Sequence, residues 1–228
     1  MRGFYEEVYK DKSHVCRQLY GFSHYIRRKH IAKFFGKSKP GLVLDCGCGI
    51  GLLSLTLCKL GFSVISMDIS LNAVLQAKTL FRKSQSPEFI VADAQFLPFR
   101  KETFDYLLCS EVLEHVENDK LVLNEFFRIL KPRSHLLLTI PLTHSSSALI
   151  RYGHLHSYSI FTIVKMLPDV GFKVKLIKYY GKCLDLFFSK RIINLNHVFA
   201  VMGLFLTILR KRNVRSFADF LRRYDEFL

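Results

Sequence analysis

Glycine recurs at every second position in Val43-Leu44-Asp45-Cys46-Gly47-Cys48-Gly49-Ile50-Gly51, between an apolar run and an uncharged one. Leu42, Val43 and Leu44 suit a strand covered on both faces, and residues 52–57 read as the helix that follows. Gly47, Gly49 and Gly51 remove side chains where the chain must turn, take positive φ, or let a ligand touch the main chain. The first N–H groups of the helix then face that ligand. Asp45 stands just before the turn, where a carboxylate can hold a cationic group of the ligand. The same pattern fits a dinucleotide site or plain tight packing, so the turn alone does not decide.

Two more strand ends narrow the choice. Gly61-Phe62-Ser63 leads into Val64-Ile65-Ser66-Met67-Asp68, and Asp68 lies 19 residues past Gly49. That spacing is close to the ~20 residues at which a second-strand acid meets ribose hydroxyls. A carboxylate accepts two hydrogen bonds from a vicinal diol and repels a 2′-phosphate, which argues against an NADP-type ligand. Phe89-Ile90-Val91-Ala92-Asp93-Ala94 is a third strand with an acid at its carboxyl end. Asp45, Asp68 and Asp93 thus form a ring of acceptors at one edge of a parallel sheet, the edge where ligands of open α/β sheets bind.

The ordered set resembles the class I S-adenosylmethionine-dependent methyltransferases, in particular the group acting on small molecules, quinones and lipids. Their first motif is similar to residues 43–51, their ribose acid to Asp68, and their adenine-contacting pair to Asp93-Ala94, followed here by Phe96-Leu97-Pro98-Phe99. Their fourth-strand motif is similar to Phe104-Asp105-Tyr106-Leu107-Leu108-Cys109-Ser110-Glu111-Val112-Leu113-Glu114-His115-Val116. Leu130-Lys131-Pro132 then precedes a fifth strand at 135–140. The likeness covers residues 42–178 and implies a Rossmann-like, doubly wound, mostly parallel α/β sheet with S-adenosyl-L-methionine as cofactor. By the same likeness Gly47 and Gly49 line the methionine portion, Asp68 the ribose and Asp93 the adenine amine. Asp45, Cys48, Gly51, Ile69, Ala94 and Ser110 complete the implied cofactor shell. Fold by itself does not fix function, so the acceptor needs a separate argument.

Length and composition agree with one α/β domain carrying basic helical extensions. A chain of 228 residues can bury a sizeable core, and with 50% of them hydrophobic a disordered chain is excluded. Helical stretches at 71–81, 117–130 and 159–167 alternate with the strands, as a parallel sheet with helices on both faces requires. Six cysteines include no second pair at zinc spacing, so Cys46 and Cys48 read as small buried fillers beside Gly47. No secretory signal pattern is seen in residues 1–9, and a reduced, cytoplasmic compartment is the default expectation.

The net charge of +15 is unevenly placed: residues 1–40 carry +7, residues 41–142 carry −1 and residues 143–228 carry +9. Three regions follow: a basic, aromatic helical cap over 1–40, a cofactor-binding core over 41–181, and a hydrophobic, basic helical extension over 182–228. Basic extensions point to an anionic surface. Residues 192–209 are uncharged and lie between Lys190-Arg191 and Arg210-Lys211-Arg212. A spanning helix needs ~20 apolar residues, and Asn194, Asn196 and His197 interrupt this run. An interfacial helix, or one packed over a pocket or at a dimer interface, fits it better. Upstream, Tyr20, Phe22, Tyr25, Phe34 and Phe35 interleave with Arg27-Arg28-Lys29-His30, which suits a lipid interface or stacked nucleic-acid bases. The unbroken apolar run downstream favours lipid. Peripheral membrane association is therefore expected, nucleic acid is the weaker partner, and nothing here sets the oligomeric state.

Methyl transfer from a sulfonium is an in-line displacement, and aligning nucleophile with methyl carbon can lower the barrier by ~7–11 kcal/mol. A phenol or enol acceptor also needs a base, for which a histidine serves. Glu111, Glu114 and His115 follow the fourth strand. Read as a helical first turn, their spacing puts all three on one face, with Val112, Leu113 and Val116 turned away. The set resembles one in ubiquinone-pathway O-methyltransferases and small-RNA 2′-O-methyltransferases, where it can hold a divalent cation beside the acceptor hydroxyl. The plain alternative has Glu111 complementing a helix dipole, Glu114 solvated and His115 merely packed. Residues 143–147 and 152–158 resemble the family segment over the substrate pocket, where His154 and His156 would reach the acceptor or complete a metal site. A sixth strand is expected within 167–178 and a degenerate seventh near 182–189. The sequence thus predicts a methyltransferase acting on a small, hydrophobic acceptor (quinone precursor, isoprenoid or lipid-linked), with oxygen the favoured atom. RNA 2′-O-methylation and a cofactor-binding, inactive adaptor are the alternatives.

Overall fold

Alternation along the strands accounts for a core with two faces. Neighbouring Val43 and Leu44 are both fully buried, because successive strand side chains point to opposite sides of the sheet and helices cover each side. Val43 and Leu108 pack with Ile31, Phe35, Leu57 and Phe62. Leu44, Leu107 and Cys109 pack instead with Leu123, Phe126 and Ile129. The computed structural model describes residues 2–10, 22–81, 86–141 and 153–175, all within one unit, Met1–Gly181.

Five strands, β1 (Leu42–Cys46), β2 (Ser63–Asp68), β3 (Glu88–Val91), β4 (Phe104–Ser110) and β5 (Leu130–Thr139), lie in the order β3-β2-β1-β4-β5. Every pairing is parallel, so the doubly wound, Rossmann-like sheet expected from the motifs is the one observed. Strand order reverses between β1 and β4. The switch point, where ligands of such sheets bind, therefore lies where Cys46-Gly47 and Ser110-Glu111 leave the sheet.

Six helices accompany the strands among the described residues: α1 (Arg2–Val8), α2 (Phe22–Phe35), α3 (Leu52–Lys59), α4 (Leu71–Leu80), α5 (Asp119–Ile129) and α6 (Ile160–Val170). Three of them begin on side-chain caps: Ser70 accepts from Ala73 N–H, Asn118 from Leu121 N–H and Ser159 from Thr162 N–H. Helix α3 begins instead on left-handed Gly51, and no capping side chain occupies its first N–H groups. Helix α5 buries Val122, Leu123, Phe126 and Ile129, the single stripe of an amphipathic helix.

Several boundaries differ from the sequence reading. Strand β5 begins at Leu130 rather than at 135, because Arg133 adopts a φ of 65° and the register slips between Phe104 and Tyr106. That bulge lets Leu130-Lys131-Pro132 join the strand they were expected to precede. Strand β3 ends at Val91, which leaves Asp93 in the loop beyond it. Residues 172–175 hold no strand, and the remainder of the expected sixth strand, the seventh, and the run 192–209 lie outside the described residues. The 1–40 region is helical in α1 and α2, with 11–21 outside the described residues. No helix among the described residues is long and apolar enough to cross a membrane.

Candidate active site

The glycine turn folds back over the end of β2. Gly47 and Cys48 N–H both donate to the Met67 carbonyl, at 2.8 and 2.9 Å. Gly47, Gly49 and Gly51 have φ of 74°, 54° and 80°, the left-handed region that other residues avoid. A Cβ on Gly47 would also run into Val112 Cγ2. Asp68 closes the turn: its Oδ2 accepts from Gly49 N–H (2.9 Å) and its Oδ1 from Ser70 N–H (3.0 Å). The Ile69 N–H bonds the group as well, which leaves about one of a carboxylate's four acceptor positions for a ribose hydroxyl. Burial raises the Asp68 pKa, against the pull of the Ser70 and Gly49 hydrogen bonds.

Asp45 is 1% exposed. Its Oδ2 accepts from Ser54 Oγ (2.5 Å), which in turn accepts from Ser66 Oγ (2.8 Å). Its Oδ1 is buried with no hydrogen-bond partner among the described residues. Burial pushes its pKa up to about 6, with Ser54 pulling downward and the Asp68 charge adding to the rise. An orphaned, buried carboxylate oxygen beside a bare main-chain turn fits the ammonium of an amino-acid moiety. Asp93 Oδ1 accepts from the N–H and Nε2–H of Gln95, at 2.9 and 3.3 Å. Ala94 is buried and Ile69 half-buried. Ser110 Oγ lies 2.9 Å from Thr139 Oγ1. Cys48 is buried, as a filler beside Gly47 would be, and burial drives its thiol pKa well up.

Glu111, Glu114 and His115 follow β4 as expected, but they do not begin an α-helix. Glu111 N–H donates to the Thr139 carbonyl (2.9 Å), which prolongs the β4–β5 pairing, and Glu111 adopts a φ of 57°. Leu113–His115 then form one 3₁₀ turn, closed by His115 N–H on the Val112 carbonyl (2.9 Å). A 3₁₀ turn does not align residues four apart, so the shared face is lost, and Leu113 and Glu114 are buried together.

Glu111 is engaged elsewhere, while Glu114 and His115 lie side by side. Glu111 pairs with Arg27 of α2 (Oε2 to Nη1, 3.2 Å) and accepts from Thr139 Oγ1 (3.1 Å). Glu114 is 1% exposed, and neither carboxyl oxygen has a hydrogen-bond partner among the described residues. Burial raises its pKa well above the usual carboxylate range, and the Glu111 charge adds to this. His115 Nδ1 lies 3.1 Å from the Gly153 carbonyl, which can only accept, so Nδ1 carries the proton. Nε2 keeps its lone pair, 3.7 Å from Glu114 Oε1. Burial lowers the His115 pKa to about 4, so the ring is neutral.

The segment after β5 clamps this turn, because Leu155 and His156 N–H both donate to the Glu114 carbonyl (2.7 and 3.1 Å). It also brings the His154 ring edge-on to His115 with centroids 4.7 Å apart. Ligand atoms of Glu114, His115 and His154 lie within 4.8 Å of one another. One carboxylate and two imidazoles suit a first-row divalent cation, and a buried carboxylate without a donor is a group such an ion satisfies. His156 does not join them, since its Nε2 bonds the Val116 carbonyl (2.9 Å).

Three residues near the site were not found by sequence reasoning as site residues. Tyr5 of α1 meets His115 edge-on, with centroids 5.5 Å apart, and its hydroxyl is buried with no hydrogen-bond partner among the described residues. Burial raises its pKa, and the charges of Glu114 and Asp68 add to the rise. Glu6 of the same helix caps α4, and no spacing in residues 1–10 signals it. Arg27 was visible only as one of a surface-like basic run, yet its side chain is 14% exposed.

Residues 44–138 match the family model described as a methyltransferase domain. A protein of Methanocaldococcus jannaschii, described only as uncharacterized, is 38% identical over 147 residues, which are 63% of this chain and 60% of that one. A ubiquinone biosynthesis O-methyltransferase of Rhizobium rhizogenes is 34% identical over 131 residues, 54% of this chain and 53% of that protein. The chain thus spans less than two thirds of the length of these relatives. Among solved structures, Haemonchus contortus phosphoethanolamine N-methyltransferase 2, in complex with S-adenosyl-L-methionine, shares the fold with a TM-score of 0.66. Its identity is 22%, over 75% of this chain and 44% of that one.

Proposed function

We propose that the protein is a class I S-adenosylmethionine-dependent methyltransferase, its residues 44–138 matching a methyltransferase domain, and that it methylates a hydroxyl of a small, hydrophobic acceptor of the quinone-precursor, isoprenoid or lipid-linked kind. The observation that carries this reading is the neutral His115 with its Nε2 lone pair beside buried Glu114, at the switch point of the sheet. The named O-methyltransferase relative supports oxygen as the target atom.

When bound, the cofactor supplies a methyl carbon on a sulfonium leaving group. The chain's own residues bind and align. Asp68 would hold the ribose, Asp45 Oδ1 the ammonium group, and Asp93 with Ala94 the adenine. The glycine turn admits the ligand against bare main chain. His115 Nε2 receives the acceptor's hydroxyl proton, Nδ1–H stays on the Gly153 carbonyl, and the Glu114 carboxyl group lies 3.7 Å from the charge that forms. Glu111, fixed by Arg27 and Thr139, walls the acceptor side.

A second reading rests on the two unpartnered oxygens of Glu114. Glu114, His115 and His154 would hold a divalent cation, which would lower the pKa of an acceptor hydroxyl placed beside it. Titration with S-adenosylmethionine, then transfer assays on a lipid extract, test the main reading. His115→Ala is expected to bind cofactor with wild-type affinity and to transfer methyl ~10²- to 10⁴-fold more slowly. Equal turnover removes His115 from the chemistry. Cofactor binding without transfer in any extract supports the inactive adaptor, and salt-sensitive RNA binding supports an RNA acceptor. Manganese binding that Glu114→Gln abolishes supports the cation.

A further inference from the structure

The turn that aims Asp68 is held from outside its own neighbourhood. Ser70 N–H donates to Asp68 Oδ1 (3.0 Å), and the Ser70 hydroxyl donates to Glu6 Oε2 (3.0 Å). Ser70 therefore links two carboxylates, one through its main chain and one through its side chain. Glu6 Oε1 also accepts from Leu71 N–H (2.8 Å), and Glu6 Oε2 from Asn72 N–H (3.0 Å). Asn72 Nδ2 returns a bond to the Glu6 carbonyl (3.0 Å). These partners lie 64 to 66 residues apart in sequence.

Helix α4 already has a local cap, since Ser70 Oγ accepts from Ala73 N–H. Glu6 is thus a second cap, supplied by α1 to the one helix whose first turn adjoins the ribose acid. Gln76 Nε2 bonds the Tyr9 carbonyl, and Tyr9 packs on Ile50 and Ala73, so α1 rests on both the glycine turn and α4. Burial acts to raise the Glu6 pKa, but the bonds from Asn72, Leu71 and Ser70 outweigh it and keep the group ionised.

We infer that Glu6 is a positioning residue for the cofactor: it fixes the Ser70 turn, and through Ser70 it holds Asp68 in the orientation that meets the ribose. The inference rests on the methyltransferase reading above. Without Glu6 the Leu71 and Asn72 N–H groups and the Ser70 hydroxyl lose their acceptor, and the Ser70 contact to Asp68 is held only by the local bond from Ala73 N–H to Ser70 Oγ.

Titration of the full chain with S-adenosylmethionine tests this with Glu6→Ala, Glu6→Gln, Asp68→Ala and the doubles. Glu6→Ala is expected to weaken cofactor binding about tenfold, the loss of one to two net hydrogen bonds. The cofactor KM should rise in step, while kcat at saturation falls by less than about threefold. Glu6→Gln keeps an acceptor oxygen and should lose less. In the Asp68→Ala background, removing Glu6 should cost less than about twofold, because the route it acts through is gone. A Glu6→Ala variant with wild-type affinity, or a full loss that persists without Asp68, overturns the inference. A purely structural role for Glu6 would give that second, additive result. Should Glu6→Ala not fold, the same cycle is read with Glu6→Gln, and additivity there overturns the inference equally. Wild-type protein that binds no S-adenosylmethionine overturns the methyltransferase reading and the inference together. Wild-type binding with an unaffected Glu6 variant overturns the inference alone.

Discussion

Asp45 is the most confined of the strand-end acids, with one oxygen on Ser54 and the other without a hydrogen-bond partner among the described residues. Burial lifts its pKa from the ordinary 3.8 to about 6. The native state then binds more protons than the unfolded chain between those values. Stability therefore falls as pH rises through that window and stays lower above it. The displacement corresponds to ~3 kcal/mol. Asp45→Asn abolishes this titration. Thermal melts at a series of pH values should show wild-type stability declining between pH 4 and 7 relative to the Asn variant, which should be the more stable above pH 6. The same variant should bind S-adenosylmethionine about tenfold more weakly or worse, since a charged hydrogen bond is lost. Parallel stability curves would mean that Asp45 is not held as described. The places of Asp45 and Asp68 at the ends of β1 and β2 were legible because apolar runs and glycine spacing are local signals, whereas Asp93 lies in the loop after β3. Tyr5, Glu6 and Arg27 were not legible, because each acts across more than sixty residues on a partner that its own neighbours do not announce.

Helix α5 was legible for a similar reason: its Asn118 cap and the stripe Val122, Leu123, Phe126 and Ile129 are properties of one short segment. Phe126 is fully buried against the sheet, so Phe126→Ala should cost ~3–5 kcal/mol in urea unfolding, from lost transfer and a residual cavity. A loss below ~1 kcal/mol would mean that α5 does not dock on the sheet as described. Residues 111–115 show where local reading stops. Glu-Val-Leu-Glu-His has acceptable helix propensity, and a helical turn is what its spacing suggests. Four outside groups decide otherwise: the Thr139 carbonyl accepts from Glu111 N–H, Arg27 pairs with the Glu111 carboxylate, and Leu155 and His156 N–H donate to the Glu114 carbonyl. Together they impose a left-handed residue and a single 3₁₀ turn. Strand β5 likewise starts early because of a bulge at Arg133, a residue whose positive φ has no signal in the flanking sequence.

Charge divides the chain in a way no single element explains. The segment that carries the candidate site is close to neutral, and the excess of +15 comes from the two ends. A pocket that collects acids at one sheet edge gains nothing from a uniformly basic surface, so the terminal charge calls for a separate explanation. We propose an anionic lipid surface, met by the uncharged run 192–209 and its basic flanks, which would bring the chain to where hydrophobic acceptors partition. Each basic side chain near such a surface contributes ~1 kcal/mol. Replacing Arg210, Lys211 and Arg212 by glutamate in the full chain should therefore weaken binding to phosphatidylserine vesicles by at least ~100-fold in co-sedimentation. Binding of the wild type should also fall steeply between 0.05 and 0.5 M salt, as screening shortens the reach of surface charge from above ~10 Å to a few ångström. Cofactor affinity in the triple variant is expected to stay at the wild-type value, as a flank that serves the membrane alone requires. Undiminished vesicle binding by the variant would separate the basic flank from the membrane. Equal binding of neutral and anionic vesicles would leave only the apolar run as the anchor.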